Sequence, residues 1–245
     1  MRILSFSSRT AKEIIRDPLN LIFGIGFPVV ILCLLQAIQY NIPVPLFEIE
    51  RLAPGIAVFG LSFMSLFSSV LIAKDRSTAF LERLYTTPMR PYEFIIGYTL
   101  PLLPMAFLQS AVCFGVSMLF GLKFNTGLLL ALVLSVPVAV FFIAVGLLFG
   151  SILSDKAVGG VCGALLTNLC AFLSGAWFDI SLIGGIFEKI AMLLPFANAT
   201  ELLRAAISGD LGAHGGNLLA VLLWALGTLA LAIFVFLGSM KKTAK

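Results

Sequence analysis

The chain has 245 residues, of which 60% are hydrophobic and only 11% charged, and its mean hydropathy is +1.09. Soluble domains carry about 25% charged residues, so this composition excludes a water-soluble globular protein and predicts an integral membrane protein. The net charge of +4 is modest and reflects an asymmetry between loops, so nucleic acid is not an expected partner.

Residues 1–16 are predicted to form a basic amphipathic helix that lies in the membrane interface. Its apolar face is predicted to consist of Ile3, Leu4, Ala11, Ile14 and Ile15, with Phe6 outside this stripe. The basic side chains expected on the polar part of this interfacial helix are Arg9, Lys12 and Arg16. Asp17-Pro18 then ends the helix, and proline is well suited to the first turn of the helix that follows.

Six apolar runs follow, each near the roughly 20 residues that a helix needs to cross the hydrocarbon. The first is interpreted as a retained span and not as a cleaved signal peptide, because no suitable cleavage site follows it. The fold predicted is therefore all-α, an integral membrane protein with six transmembrane helices. The spans are predicted over residues 19–38, 54–73, 95–120, 128–151, 158–178 and 217–238.

The distribution of Lys and Arg predicts the orientation of the spans. With the N-terminus inside, twelve basic residues lie on the cytoplasmic side and four on the external side, whereas the acidic residues divide evenly. The positive-inside rule then places both termini in the cytoplasm. The four external basic residues are Arg51, Lys123, Lys189 and Arg204.

Two connections are long, the cytoplasmic one over 74–94 and the external one over 179–216. Residues 180–194 are predicted to form a short interfacial or re-entrant helix, because Gly184-Gly185, Glu188 and Lys189 interrupt the apolar run. Residues 198–201 match a capping box that would open a second short helix through residue 206, ended by Gly209. No hydrophilic stretch is long enough for a soluble domain, so residues 1–245 are interpreted as one transmembrane domain.

The sequence contains no motif for nucleotide binding or hydrolysis. It has no GxxxxGK[ST] loop, no HExxH and no GxSxG, and its one histidine, His214, lies in a Gly-rich loop. The four cysteines all fall in apolar runs without CxxC spacing, which is typical of buried thiols and not of a zinc site. We therefore expect no catalytic residue, no metal and no cofactor on this chain.

The predicted spans contain amides and hydroxyls but almost no charge, which argues against an ion-coupled carrier. Two alternatives remain for the amides: they form hydrogen bonds between helices, or some of them line a path for an amphipathic substrate. The candidates for such a path are Gln36, Gln39, Gln109 and Asn168. Two GxxxG patterns, Gly146–Gly150 and Gly159–Gly163, predict a close crossing of the fourth and fifth spans, either within one subunit or between subunits.

The segment Lys74–Pro91 is polar and amphipathic in an otherwise apolar chain. Residues 79–86 are predicted to form a short helix that Pro88 ends, with Phe80, Leu81, Leu84 and Tyr85 on one face. By pattern alone this helix lies at the membrane interface with its apolar face under the bilayer.

Several motifs together resemble the ABC-2 type permeases of ABC transporters. In the segment above they are Lys74-Asp75-Arg76, Leu81-Glu82-Arg83-Leu84, Thr87-Pro88 and Gly97, although Ala79 and Phe80 replace the usual Gly and Thr. A second set resembles the external segment of that family: Leu173-Ser174-Gly175, Pro195-Phe196 and Leu202-Leu203-Arg204. The basic N-terminal helix and the six spans are similar as well, so the resemblance extends over nearly the whole chain.

The resemblance implies a bacterial inner-membrane permease subunit that pairs with a second permease, as a homodimer or a heterodimer. Two separate ATP-binding cassette subunits would hold ATP and Mg²⁺ and would dock below the bilayer. The helix over residues 79–86 would be the coupling helix, with Phe80, Leu81, Glu82, Arg83, Leu84 and Tyr85 as the ATPase-coupling residues. The expected activity is export of a drug-like, lipid-linked or peptide substrate, as in multidrug efflux. A secondary transporter and a membrane scaffold remain as alternatives.

Overall fold

The computed structural model describes residues 2–18, 22–78, 80–81 and 89–243. Regular structure in this part of the chain is helical, with no strand, which confirms the predicted all-α class. Among the described residues, six helical segments are long and apolar enough to cross a membrane, and we number them as spans in chain order. Spans 1 to 6 are Ile22–Asn41, Ile49–Ser77, Pro91–Leu119, Thr126–Ile152, Asp155–Leu173 and Gly212–Ser239.

Three spans contain turns other than α-helical ones. Span 1 begins with the π-helical segment Ile22–Gly26 and continues as the α-helix Phe27–Asn41. Span 5 consists of Asp155–Val158, the π-helical segment Gly159–Leu166 and the α-helix Thr167–Leu173. Span 6 begins with a 3₁₀ turn at Gly212–His214, and its α-helix runs over Gly215–Thr243.

The ends of the spans differ from the prediction for physical reasons. Span 2 was expected over 54–73, yet its polar end turns also continue the helix, which runs over Ile49–Ser77. Span 5 was expected to reach residue 178 but ends at Leu173. The chain turns soon afterwards at Gly175, whose φ of +70° favours glycine. The predicted start of span 1, residues 19–21, lies outside the described residues.

Span 2 is the centre of the bundle. Its most apolar window is 89% buried, whereas the windows of spans 1 and 6 are each 17% buried. Span 4 packs directly on span 2, and their backbones come closest at Gly146. A Cβ on Gly146 would lie 2.1 Å from the Ser65 carbonyl oxygen, so a larger residue does not fit there. The Ser68 hydroxyl donates across the contact to the Ile143 carbonyl, at 3.1 Å. Small residues thus allow the close approach that apolar side chains would prevent.

The predicted crossing of spans 4 and 5 through their GxxxG patterns is wrong within this chain. Gly146 and Gly150 both face span 2, and a Cβ on Gly150 would lie 2.5 Å from the Ser69 carbonyl oxygen. In the second pattern, Gly163 faces Leu66 of span 2, and a Cβ on Gly159 would have no atom within 4 Å among the described residues. The pattern indicates that a close contact is allowed but does not specify the partner helix.

Span 2 ends and span 3 begins at the same end of the bundle, which we call the basic face. The N-terminal helix, Arg2–Ile15, also lies there and packs on span 3. Its inward side chains are Phe6, Ser7, Thr10 and Ile14. The side packed on span 3 therefore differs from the predicted apolar stripe, since Leu4 and Ile15 are 65% and 70% exposed while Phe6 is buried.

The opposite end, which we call the far face, carries the loop over residues 42–48 and the segment between spans 5 and 6. That segment contains a 3₁₀ turn, Ile180–Leu182, and two helices, Gly185–Leu193 and Pro195–Ser208, which meet at 79°. The second of these helices begins at Pro195, so the predicted capping box at residues 198–201 is wrong. As predicted, this helix ends at Gly209, whose φ is +83°.

The side chain of Asn198 has a different role from the predicted cap. Its Nδ2 donates to the carbonyl oxygens of Met192 and Leu194, at 2.7 and 2.8 Å. These bonds hold the two far-face helices together at their bend. The helix begins at Pro195 without a side-chain cap at Leu194, and the proline removes one of the N–H groups that lack a partner in the first turn.

Candidate functional site

The candidate site is a cluster of polar side chains where the N-terminal helix meets spans 2 and 3. At its centre is Asp75, in the last turn of span 2, which is 3% exposed. Arg9 donates two hydrogen bonds to its carboxylate, from Nη1 to Oδ2 at 2.7 Å and from Nη2 to Oδ1 at 2.8 Å. The Tyr98 hydroxyl of span 3 donates a third, to Oδ2 at 2.7 Å. Bidentate, charge-assisted bonds of this kind fix geometry more strongly than neutral ones.

A second acid and a second base complete the charge balance of the cluster. Glu13 lies 3.0 Å from Arg9 Nη2 and 3.3 Å from Lys74 Nζ. The hydrogen bond to Asp75, opposed by partial burial, raises the pKa of Arg9. The two acids and two bases neutralise one another, so the N-terminal helix is attached to span 2 without a net charge.

An aromatic contact attaches the same helix to span 3. The Phe6 ring meets Phe94 and Tyr98 edge to face, with centroids 5.8 and 4.9 Å apart. It lies directly over Gly97, where a Cβ would come within 2.4 Å of the ring, and the Ser7 hydroxyl donates to the Gly97 carbonyl at 3.0 Å. The glycine noted at the start of span 3 is therefore required by this close approach.

Two of the six predicted coupling residues are described, and both face the bundle. Leu81 is 1% exposed, and Phe80 packs against the core with the Arg9 guanidinium 4.0 Å above its ring centroid. A cation over an aromatic face is attractive, so Arg9 contacts Asp75 and Phe80 together. Glu82, Arg83, Leu84 and Tyr85 lie outside the described residues.

Arg76 has a role that the sequence analysis missed. Its Nη1 donates to the carbonyl oxygens of Gly150 and Leu153, at 2.8 and 3.2 Å, at the end of span 4. The last carbonyls of a helix lack partners within it, so this guanidinium caps span 4 and ties it to span 2. The sequence signal was the basic residue itself, which counted toward the orientation and the family resemblance but did not indicate a contact with span 4.

The other predicted interfacial residues, Lys12 and Arg16, are exposed on the same helix as Arg9. They line an open groove between the N-terminal helix and span 2 on the basic face. Arg9 also lines this groove but is bonded to Asp75. The three residues therefore share one helix face but differ in whether they have an acidic partner.

The four candidate pathway residues are not brought together. Gln36 donates to the Phe47 carbonyl at 2.7 Å, and Gln39 donates to the Val44 carbonyl at 3.0 Å, so both hold the far-face loop over residues 42–48. Asn168 is exposed on span 5 and bonds the Ala164 carbonyl of its own helix.

Gln109 is the exception among these amides. It is 1% exposed, inside the bundle, and its Nε2 has no acceptor among the described residues. The amide occupies the space that Gly60 of span 2 leaves open, next to Pro28 of span 1. A buried, unsatisfied N–H is costly, which makes Gln109 the one candidate that packing alone does not explain.

The far face carries its own polar network. Arg204 contacts Glu201 at 2.6 Å and donates to the carbonyls of Gly175 and Arg51, at 2.8 and 3.1 Å. Arg51 in turn pairs with Asp179 at 2.8 Å. The network therefore joins span 2 to the connection between spans 5 and 6.

The pKa of the Asp179 carboxyl, outside the spans, is lowered. The hydrogen bond from the Ser181 hydroxyl contributes most to this lowering, and the Ser181 N–H and the nearby Arg51 add to it, against the opposing effect of burial. Among the described residues, no group of three or more His, Cys, Asp or Glu is placed to hold a metal ion.

These features define a class: a helical membrane protein with six candidate spans, a bonded N-terminal helix on one face and no nucleotide motif in its sequence. The family model of the ABC-2 type transporter matches residues 1–208. The chain therefore belongs to the ABC-2 type transporter family and is a transmembrane ABC transporter subunit, not itself the ATPase. Membership implies association with an ABC ATPase subunit. A comparison with curated proteins gave no match.

Proposed function

We propose that this permease is part of an exporter that moves an amphipathic, drug-like or lipid-linked substrate out of the cytoplasm or the inner leaflet. The excess of Lys and Arg on the basic face supports a cytoplasmic location for that face and for both termini, in a bacterial inner membrane. A separate ATPase subunit supplies ATP hydrolysis with Mg²⁺, and a second permease subunit completes the transporter.

The observation that carries the proposal is the Asp75 cluster, because it joins three elements beside the predicted coupling helix. Of the described residues of that helix, Leu81 is buried and Phe80 is partly buried against the bundle. Arg9 contacts both Phe80 and Asp75, so a displacement of the coupling helix acts on the N-terminal helix and on span 2 together. Movement of this kind is rigid-body transmission through a packed interface.

Two further contacts extend the connection to the remaining spans. Tyr98 bonds Asp75 to span 3, and Arg76 bonds the end of span 2 to the end of span 4. Nucleotide-driven closure of the ATPase pair would therefore move spans 2, 3 and 4 as a unit. Glu82 and Arg83 are the side chains proposed to contact the ATPase.

Gln109 is retained as a pathway residue because its amide lacks an acceptor among the described residues.

Asp75→Asn tests this proposal. The variant keeps the side-chain volume but removes the charge that Arg9 and Tyr98 bind. In proteoliposomes with the partner ATPase, we expect normal assembly of the complex but about a tenfold smaller effect of the permease on ATP hydrolysis. That estimate takes about 1.4 kcal/mol for a charged hydrogen-bond pair that is partly exposed at Arg9. The matched control is Asp155→Asn, an exposed acid on the same face.

The two variants separate transmission from a general effect of charge. Equal ATPase coupling in Asp75→Asn and Asp155→Asn would contradict transmission through the cluster. ATP-independent, ion-driven movement of a fluorescent amphiphile by the purified chain alone would instead favour a secondary transporter.

A further inference from the structure

A groove on the basic face is not used by the proposed coupling mechanism. It runs between the N-terminal helix and span 2 and has a volume of about 690 Å³. One wall is a single stripe of that helix, with residues at the spacing of helical turns, and the other is the last turns of span 2. The side chains that matter here are Ser8, Lys12 and Arg16 on the first wall and Val70 and Leu71 on the second.

The charges in the groove are not balanced. Arg9 and Lys74 are paired with Asp75 and Glu13. Lys12 and Arg16 are exposed and form no ion pair with an acid among the described residues. Asp17 also lines the groove. The groove and its ion pairs together contain four basic side chains and three acidic ones, namely Arg9, Lys12, Arg16 and Lys74 against Glu13, Asp17 and Asp75. The groove therefore carries one positive charge and has two basic side chains available for an anion.

Apolar side chains flank this charge on the outer surface of the protein. Ile15 is 70% exposed beside Arg16, and Ile22 and Phe23, at the start of span 1, are 62% and 51% exposed. Large apolar residues beside basic ones, at the first turn of a span, mark the depth at which acyl chains end and headgroups begin. A ligand that fits this position has an anionic head and an apolar tail.

We propose that the groove binds one anionic phospholipid of the cytoplasmic leaflet. The phosphate is held by Lys12 and Arg16 with the Ser8 hydroxyl as a further donor, and the acyl chains lie along the exposed start of span 1. One phosphodiester charge balances the single positive charge of the groove. The lipid thereby anchors the N-terminal helix from the side opposite its contact with Gly97. This site does not depend on the transport function, only on the basic face being cytoplasmic.

Native mass spectrometry of the detergent-purified chain tests the site, with phosphatidylglycerol and phosphatidylcholine as probes. We expect one phosphatidylglycerol adduct per chain that saturates, and no comparable phosphatidylcholine adduct. Each basic side chain near an anionic lipid contributes about fivefold in affinity. Lys12→Gln/Arg16→Gln should therefore weaken the phosphatidylglycerol adduct about 30-fold. Both positions are exposed, so the variant is expected to fold.

Two controls make the result specific to this groove. Lys123→Gln/Lys189→Gln removes the same charge from exposed positions on the far face and should leave the adduct unchanged. The exchange Lys12→Arg/Arg16→Lys should retain it, because both positive charges remain. Equal loss in the far-face control, equal binding of phosphatidylcholine, or displacement of the lipid by inorganic phosphate would each overturn the proposal.

Discussion

The hydroxyl of Tyr98 offers the sharpest single-atom test of the Asp75 cluster. Tyr98→Phe removes the donor 2.7 Å from Asp75 Oδ2 and keeps a ring that is 0% exposed. A hydrogen bond to a charged group contributes about 1.5 to 3 kcal/mol. Arg9 still donates two bonds to the same carboxylate, so we expect a loss near 1.5 to 2 kcal/mol in the free energy of unfolding.

Unfolding in mixed micelles with rising SDS, followed by circular dichroism, measures this loss. Tyr92→Phe is the matched control, because Tyr92 lies on the same helix, is 41% exposed and bonds nothing among the described residues. It should change stability by less than about 0.5 kcal/mol. A double-mutant cycle with Arg9→Gln should give a coupling energy of about 1 kcal/mol, since both donors share Asp75. A Tyr98→Phe variant as stable as wild type would refute the role assigned to the hydroxyl.

Three further predictions concern packing, pH and orientation. Gly146→Ala should cost about 1 to 3 kcal/mol by overpacking against Ser65, whereas Gly227→Ala, where no atom lies within 4 Å among the described residues, should cost nothing; the same unfolding assay compares them. Asp179→Asn should be less stable than wild type at pH 7 by about 0.5 kcal/mol. Because the pKa of Asp179 is lowered in the fold, that difference is present above its ordinary pKa and should vanish as the pH falls through its lowered pKa; a difference that stays constant with pH would contradict it. An impermeant thiol reagent applied to intact cells should label Asp210→Cys and not Tyr85→Cys, and the reverse would overturn the orientation.

The number and order of the spans were predictable because the thickness of the hydrocarbon sets a length that composition alone reveals. The ends of the spans were less predictable, since a helix can continue beyond the hydrocarbon of the bilayer. Span 2 continues through Lys74 and Asp75 to Ser77, and that extension positions the carboxylate under Arg9. The hydropathy window sees polar residues there and ends too early.

Contacts between distant residues were not predictable from periodicity. Phe6 was placed outside the apolar stripe, yet it is buried, because Gly97, far along the chain, leaves space for its ring. Likewise, Gly146 and Gly150 permit a close contact, but only the fold shows that the partner is span 2. In both cases the sequence shows the small residue but does not show which distant residue packs against it.

The amides show how a candidate site separates once the fold is known. Gln36 and Gln39 were equivalent to Gln109 as polar residues in apolar runs. In the fold the first two bond the backbone of the loop over residues 42–48, and Gln109 alone is buried with an N–H that lacks an acceptor in the described part of the chain. Hydrogen-bond partners on a loop follow from three-dimensional proximity, which spacing along a helix does not encode.

The central claim is that residues 74–91 attach the permease to a separate ATPase. The direct test is co-purification of the tagged chain with an ATPase subunit that carries GxxxxGK[ST], identified by mass spectrometry. Glu82→Ala/Arg83→Ala should lower the amount of that ATPase at least tenfold, with membrane insertion unchanged. Glu188→Ala/Lys189→Ala, the matched acid–base pair on the far face, should retain it in full. Undiminished recovery of the ATPase with the Glu82 and Arg83 variant would contradict the claim.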